Sequence, residues 1–66
     1  MKSEPINRVL GAWLLDRGNT RDLLASKLGI TRPTLNNRLK IGGWSWVEVL
    51  RISDLTGVTP NELAGM

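Results

Sequence analysis

The chain is 66 residues long and carries 9 Lys and Arg against 6 Asp and Glu, a net charge of +3, with no Cys and no His. That length allows one domain, spanning 1–66, with a modest core that must rest on well-packed helices or on a partner. The missing Cys and His exclude zinc fingers, thiolate metal sites, disulfide frameworks and Cys- or His-based catalysis, so neither metal nor cofactor is expected.

Met1 to Glu4 reads as a frayed lead-in. Ser3 can cap a first helix with Pro5 in its first turn, and Ile6, Val9, Leu10, Trp13 and Leu14 follow at three-four spacing as one apolar stripe. Trp13 lies within that stripe and is expected in the core. This helix is predicted to run to about Arg17, where Gly18 ends it and Asn19 and Thr20 make a short connection.

Thr20 to Lys40, TRDLLASKLGITRPTLNNRLK, is the stretch that the other segments serve. Thr20 is a helix N-cap, and Leu24 and Leu28 fall on one face of the second helix with Leu23 and Ala25 flanking them. Gly29 can adopt the left-handed backbone of a sharp turn without steric cost. Thr31 offers the next N-cap, and Ile30 with Leu35 stands at the spacing of a hydrophobic staple. The turn is thus only about three residues long.

The third helix, Arg32 to about Lys40, is mostly polar. Only Leu35 and Leu39 can hold it to a core, leaving Arg32, Pro33, Thr34, Asn36, Asn37, Arg38 and Lys40 around the remaining surface. Stability alone does not explain such a helix. Asn can pair with the major-groove edge of adenine, Arg with that of guanine, and Pro or a Thr methyl can touch the methyl of thymine.

Ile41, Gly42 and Gly43 read as a flexible exit. Ser45 and Glu48 then form an S-x-x-E capping box with Trp44 and Val49 as its staple, so a fourth helix starts at Trp46. Val49, Leu50, Ile52 and Leu55 continue its apolar side until Gly57 closes it. The same grammar repeats with Thr59 as cap, Pro60 at the first position, Glu62 at the third and Val58 with Leu63 as staple, giving a short fifth helix that ends near Gly65 and Met66. Trp44 is expected to be structural. Trp46, in the first turn of the fourth helix, is expected to be partly exposed, beside a DNA backbone or a partner subunit. The first-turn amides there can receive a phosphate, and Gly42 and Gly43 permit close backbone approach.

Positive charge is concentrated on the same stretch. From Arg17 to Lys40 there are six cations (Arg17, Arg21, Lys27, Arg32, Arg38 and Lys40) against the single anion Asp22, a local net of +5, while the other residues together carry −2. That is the pattern of an electrostatic footprint on phosphates. A solvated basic face on a small domain is the bland alternative.

The run T-R-D-L-L-A-S-K-L-G-I-T-R-P-T-L resembles the pattern T-x-x-x-L-A-x-x-L-G-(V/I)-(S/T)-x-x-T-(I/L) of the lambda-repressor-like family, the Cro and CI type of small phage and bacterial regulators, also called XRE-type. The last two helices resemble the family's L-x-x-(I)-x-x-x-(T)-G-V-(T)-x-(N)-E-L, so the likeness spans roughly Arg8 to Leu63. It implies an all-α fold, a compact bundle of five short helices in which the second and third form a helix-turn-helix and the third enters the major groove. Carried onto this chain, the family's base-reading positions fall on Arg32, Pro33, Thr34 and Asn37, with Asn36 beside them. Its phosphate contacts fall on Thr20 and Arg21 and on the loop and start of the fourth helix, here Lys40, Gly43 and Trp46, with Arg38 added as a cation of the same surface. Two positions depart from the family pattern: Arg38 stands where relatives bury an apolar side chain, with Leu39 beside it, and Pro33 stands where many carry Gln or Ser.

The resemblance implies a double-stranded DNA operator as partner and a homodimer, formed either in the free state or only on DNA, through the fifth helix and C-terminus. No small-molecule substrate is expected. No apolar run approaches the roughly 18 residues of a membrane span and MKSEPINR leads into no signal pattern, so no membrane partner is expected and the cytoplasm of a bacterium or phage-infected host is the expected location. A protein-interaction module, an anti-repressor or antitoxin, is the alternative of a different class, with Trp46, Leu63 and Met66 as its exposed features. The six scattered carboxylates form no acid–base pair by spacing, and no enzyme is expected.

Overall fold

The structure, a computed structural model, describes residues 4–65. Its elements are α1 (Glu4–Leu15), α2 (Arg21–Leu28), α3 (Arg32–Ile41), α4 (Trp46–Thr56) and α5 (Pro60–Leu63), with no strand among the described residues. The fold is all-α. α2 packs on α3 and on α4, α4 packs on α5, and α5 returns against α1, giving a body of 30 × 21 × 17 Å.

The predicted stripe of α1 faces inward: Ile6 and Leu10 have no exposed surface, and Val9, Trp13 and Leu14 pack around them. α1 stops at Leu15 rather than near Arg17. The Trp13 carbonyl accepts the Asp16 N–H at 3.2 Å and the Asn19 side-chain amide at 2.8 Å, which turns the chain away before another helical residue can be added. The expected Ser3 cap lies outside the described residues.

α3 runs one residue further than expected, because the Gly42 N–H bonds the Arg38 carbonyl at 2.8 Å and draws Ile41 into the helix. Ile41 is therefore helical and largely exposed, not part of a flexible exit. A contact from far upstream supports this end: the Asn7 side-chain amide donates to the Leu39 carbonyl at 3.0 Å, one of the acceptors a helix C-terminus leaves unpaired.

α4 begins at Trp46, as the capping box requires. The Ser45 hydroxyl accepts from the Glu48 N–H at 3.2 Å and the Glu48 carboxylate accepts from the Ser45 N–H at 2.8 Å. Val49 and Ile52 are fully buried and Leu55 packs against them, but Leu50, expected on this side, is 42% exposed. One helical turn separates Leu50 from Trp46, and the two share the outer face instead. α5 buries Leu63 completely, so the exposure expected of that residue is not found. Trp44 is buried as a structural indole, and its Nε1–H has no hydrogen-bond partner.

Each helix thus contributes at least one fully buried aliphatic residue: Ile6 and Leu10, Leu24 and Leu28, Leu35, Val49 and Ile52, and Leu63. Burying one such side chain stabilises by roughly 1.5–3 kcal/mol. α3 holds on by Leu35 alone, with Leu39 half-buried beside it, which leaves its other faces for another purpose.

Candidate nucleic-acid interface

The candidate surface is set by how α2 hands the chain to α3. The Thr20 hydroxyl accepts the Leu23 N–H at 3.1 Å and starts α2. At the other end Gly29 takes φ 71 and ψ 28, its N–H bonding the Ser26 carbonyl at 3.1 Å while the Ile30 N–H bonds the Ala25 carbonyl at 3.0 Å. This is a Schellman closure, which needs the left-handed residue that glycine supplies. Arg51, from α4, donates to the Leu28 carbonyl at 2.8 Å and braces the same turn. Thr31 then caps α3 by accepting the Thr34 N–H at 3.3 Å, and Pro33 sits in the first turn, where no donor is needed. Two short helices joined through 29–31 and packed on each other are compatible with a helix-turn-helix.

On α3, Arg32, Pro33, Asn36, Asn37 and Lys40 are all exposed. Their spacing places Pro33, Asn36, Asn37 and Lys40 on the side away from Leu35, with Arg32 at the edge of that stripe, one turn before Leu35. Four of the five base-reading candidates are thereby brought together. The fifth, Thr34, is half-buried and its hydroxyl is engaged with that of Thr31 at 2.9 Å.

Two polar contacts tie this stripe to the start of α2. Arg21 Nη1 donates to Asn36 Oδ1 at 2.8 Å, and Arg32 Nη1 lies 3.2 Å from Asp22 Oδ1. Both are exposed and neither was visible in the sequence, where Arg21 was only a phosphate candidate. As a surface ion pair, Arg32–Asp22 is worth about 0–1 kcal/mol.

Arg38 lies elsewhere. Its Nε donates to Glu48 Oε1 at 3.1 Å, its side chain is 29% exposed, and Glu48 as a whole is 7% exposed. Burial on its own pushes the Glu48 carboxyl up, but the Ser45 amide and the Arg38 guanidinium outweigh it and hold it below the usual carboxylate range. Arg38 is thus held against the start of α4 while Leu35 stays fully buried. The sequence marked Glu48 as a capping residue and Arg38 as an unusual cation, and only the packing of α3 against the start of α4 joins them.

The other phosphate candidates remain on the surface: Arg21, Lys40, Gly43 and Trp46 are exposed, as is Thr20, whose hydroxyl is engaged in the α2 cap. Gly43 has φ 78 with open space around it, and Trp46 is 48% exposed at the first turn of α4. Trp46, Val47 and Leu50 form an exposed apolar strip on α4. Among the described residues no group of three or more acidic, Cys or His side chains can hold a metal, and no helix is long and apolar enough to cross a membrane. No family model matches the chain, and neither a curated protein nor a solved structure gives a match.

Proposed function

We propose that this chain is a sequence-specific double-stranded DNA-binding transcription regulator, a repressor of the phage or mobile-element Cro and CI type, which occludes a promoter by placing α3 in the major groove. One observation carries the reading: α3 has a single fully buried anchor, and it leaves Arg32, Pro33, Asn36, Asn37 and Lys40 all exposed, within the most basic stretch of the chain. These side chains have the donors, acceptors and apolar groups that base edges and phosphates require. One such unit reads about half a turn of DNA, so a homodimer on a palindromic operator follows, with half-sites about 34 Å apart. The family resemblance would seat the dimer on α5 and the C-terminus. The expected setting is the cytoplasm of a bacterium or infected host.

The test is titration of an operator recovered from a random duplex pool. Asn37→Ala is expected to cost roughly 1–3 kcal/mol and relax the sequence preference, whereas Lys40→Ala weakens all sequences alike and lowers the salt slope by about one. Exchange of the two effects would refute the assignment of reader and anchor.

The second reading, a protein-interaction module, is favoured by one observation, the exposed strip of Trp46, Val47 and Leu50. Absence of binding to any duplex at about 50 mM salt, where attraction to phosphates is strong, would select it.

A further inference from the structure

We infer that Arg21 is a specificity-determining positioning residue: it turns the Asn36 amide so that the NH2 end, rather than the oxygen, meets the base edge. The inference rests on the DNA-reading role proposed above and adds which chemical edge one position of the operator must show.

Arg21 is the first residue of α2 and Asn36 the fifth of α3, and Arg21 Nη1 donates to Asn36 Oδ1 at 2.8 Å. The orientation of the amide follows from chemistry. A guanidinium has five N–H donors and no acceptor, so only the oxygen of an Asn side chain can face it. With that oxygen drawn toward α2, Nδ2 is the end left to a partner on the exposed stripe that Asn36 shares with Arg32, Pro33 and Lys40.

An unrestrained Asn presents its oxygen and nitrogen side by side and pairs with adenine through both. A pinned Asn offers a donor. That suits guanine O6 or N7, adenine N7 or thymine O4, and it opposes the N4 amino group of cytosine. Asn36 is therefore a reader of acceptors that discriminates against cytosine. The bond also orders two exposed side chains before DNA arrives, which lowers the entropy lost on binding. Arg21 uses one nitrogen on Asn36 and keeps further N–H groups for a phosphate, so a single residue links backbone anchoring to base choice.

The experiment is selection of bound sequences from a random duplex pool by the full chain and by Arg21→Ala, Asn36→Ala, the double variant carrying both, and Asn36→Asp, at one salt concentration, with helicity checked by circular dichroism. Wild type is expected to disfavour cytosine about tenfold at one position of the half-site. Asn36→Asp keeps an oxygen on Arg21 but replaces the outward donor by an acceptor, so preference at that position shifts to cytosine. Arg21→Ala and Asn36→Ala each change the preference at that same position, and the double variant changes it no further.

If Arg21→Ala weakens all sequences alike and leaves every base preference in place, Arg21 is a phosphate anchor only and the proposal is wrong while DNA reading stands. If Asn36→Asp weakens all sequences alike, Asn36 faces no base and the proposal is equally wrong. A wild-type pool without any enrichment overturns the DNA-reading role itself, and this inference with it.

Discussion

Glu48 serves two elements at once, and substitution can separate the two roles. Its Oε1 accepts both the Ser45 N–H at 2.8 Å, which completes the cap of α4, and Arg38 Nε at 3.1 Å, which ties α3 to that cap. In Glu48→Gln the side-chain oxygen remains and both donors keep an acceptor, but the charge is gone. A hydrogen bond to a charged group is worth about 1.5–3 kcal/mol and a neutral one about 0.5–1.5, so the expected cost is about 1 kcal/mol. Glu48→Ala removes cap and pair together and is expected to cost about 2–3 kcal/mol, held down because the Arg38 side chain is 29% exposed and water can reach it. Urea unfolding followed by circular dichroism at pH 7 measures both.

The same pair of proteins supplies a pH test. The Glu48 carboxyl is held below its usual range in the folded chain, burial being outweighed by the Ser45 amide and the Arg38 guanidinium. A carboxyl depressed on folding contributes its full stabilisation above the unfolded value of about 4.3, and loses it as pH falls through the lower folded value. The stability gap between wild type and Glu48→Gln is therefore expected to hold from pH 7 to about 5 and to narrow below about 4.3. A gap that stays constant down to pH 3, or a Gln variant as unstable as the Ala variant, would refute the shared-carboxylate reasoning.

Gly29→Ala is expected to cost about 2–3 kcal/mol: about 1–2 for a left-handed alanine, and about 1 because its Cβ meets the Arg51 guanidinium and displaces the bond to the Leu28 carbonyl. In an Arg51→Ala background only the backbone part should remain, so strict additivity in the double-mutant cycle would exclude the displacement. Leu35→Ala removes the only fully buried side chain of α3 and should cost about 2–5 kcal/mol in denaturant unfolding. For 66 residues that is a large share of a total stability of about 3–10 kcal/mol, so an unchanged midpoint would mean that α3 is not anchored there.

Much of the fold was legible because its signals are local. Caps at Thr20, Thr31, Ser45 and Thr59 act within three residues, and Gly29 and Gly57 close their helices within six, so the starts of four helices could be read without knowing what they pack on. The outward stripe of α3 was legible for a related reason: with so few apolar residues in that helix, only one face can be buried. Side-chain destinations set by the crossing of two helices were not. Asn7 reaches a carbonyl 32 residues away, and Arg38 finds a carboxylate that its own helix does not contain. Periodicity alone does not assign Leu50 to a face, because α4 carries apolar residues on both.

The same distinction limits what a charge count says about DNA binding. Six cations cluster between Arg17 and Lys40, and if each neutralised one phosphate, the slope of log K against log salt would be about −5.4 per protomer. Two of them are already matched with carboxylates, Arg32 with Asp22 and Arg38 with Glu48, and the second match is partly buried. Arg21 bonds a neutral amide and keeps its charge, and no carboxylate among the described residues lies within ion-pair distance of Arg17, Lys27 or Lys40. Four cations then remain, and a slope no steeper than about −3.6 per protomer is expected. Fluorescence anisotropy of a labelled operator from about 50 to 300 mM salt measures it. Glu48→Gln supplies the control: Arg38 keeps an oxygen to bond but loses its compensating negative charge, and no cation is added, so the slope should steepen toward the higher figure by up to about one. A wild-type slope near −5.4 would mean that both carboxylates let go of their arginines on DNA, and the internal pairing would then be a feature of the unbound protein alone.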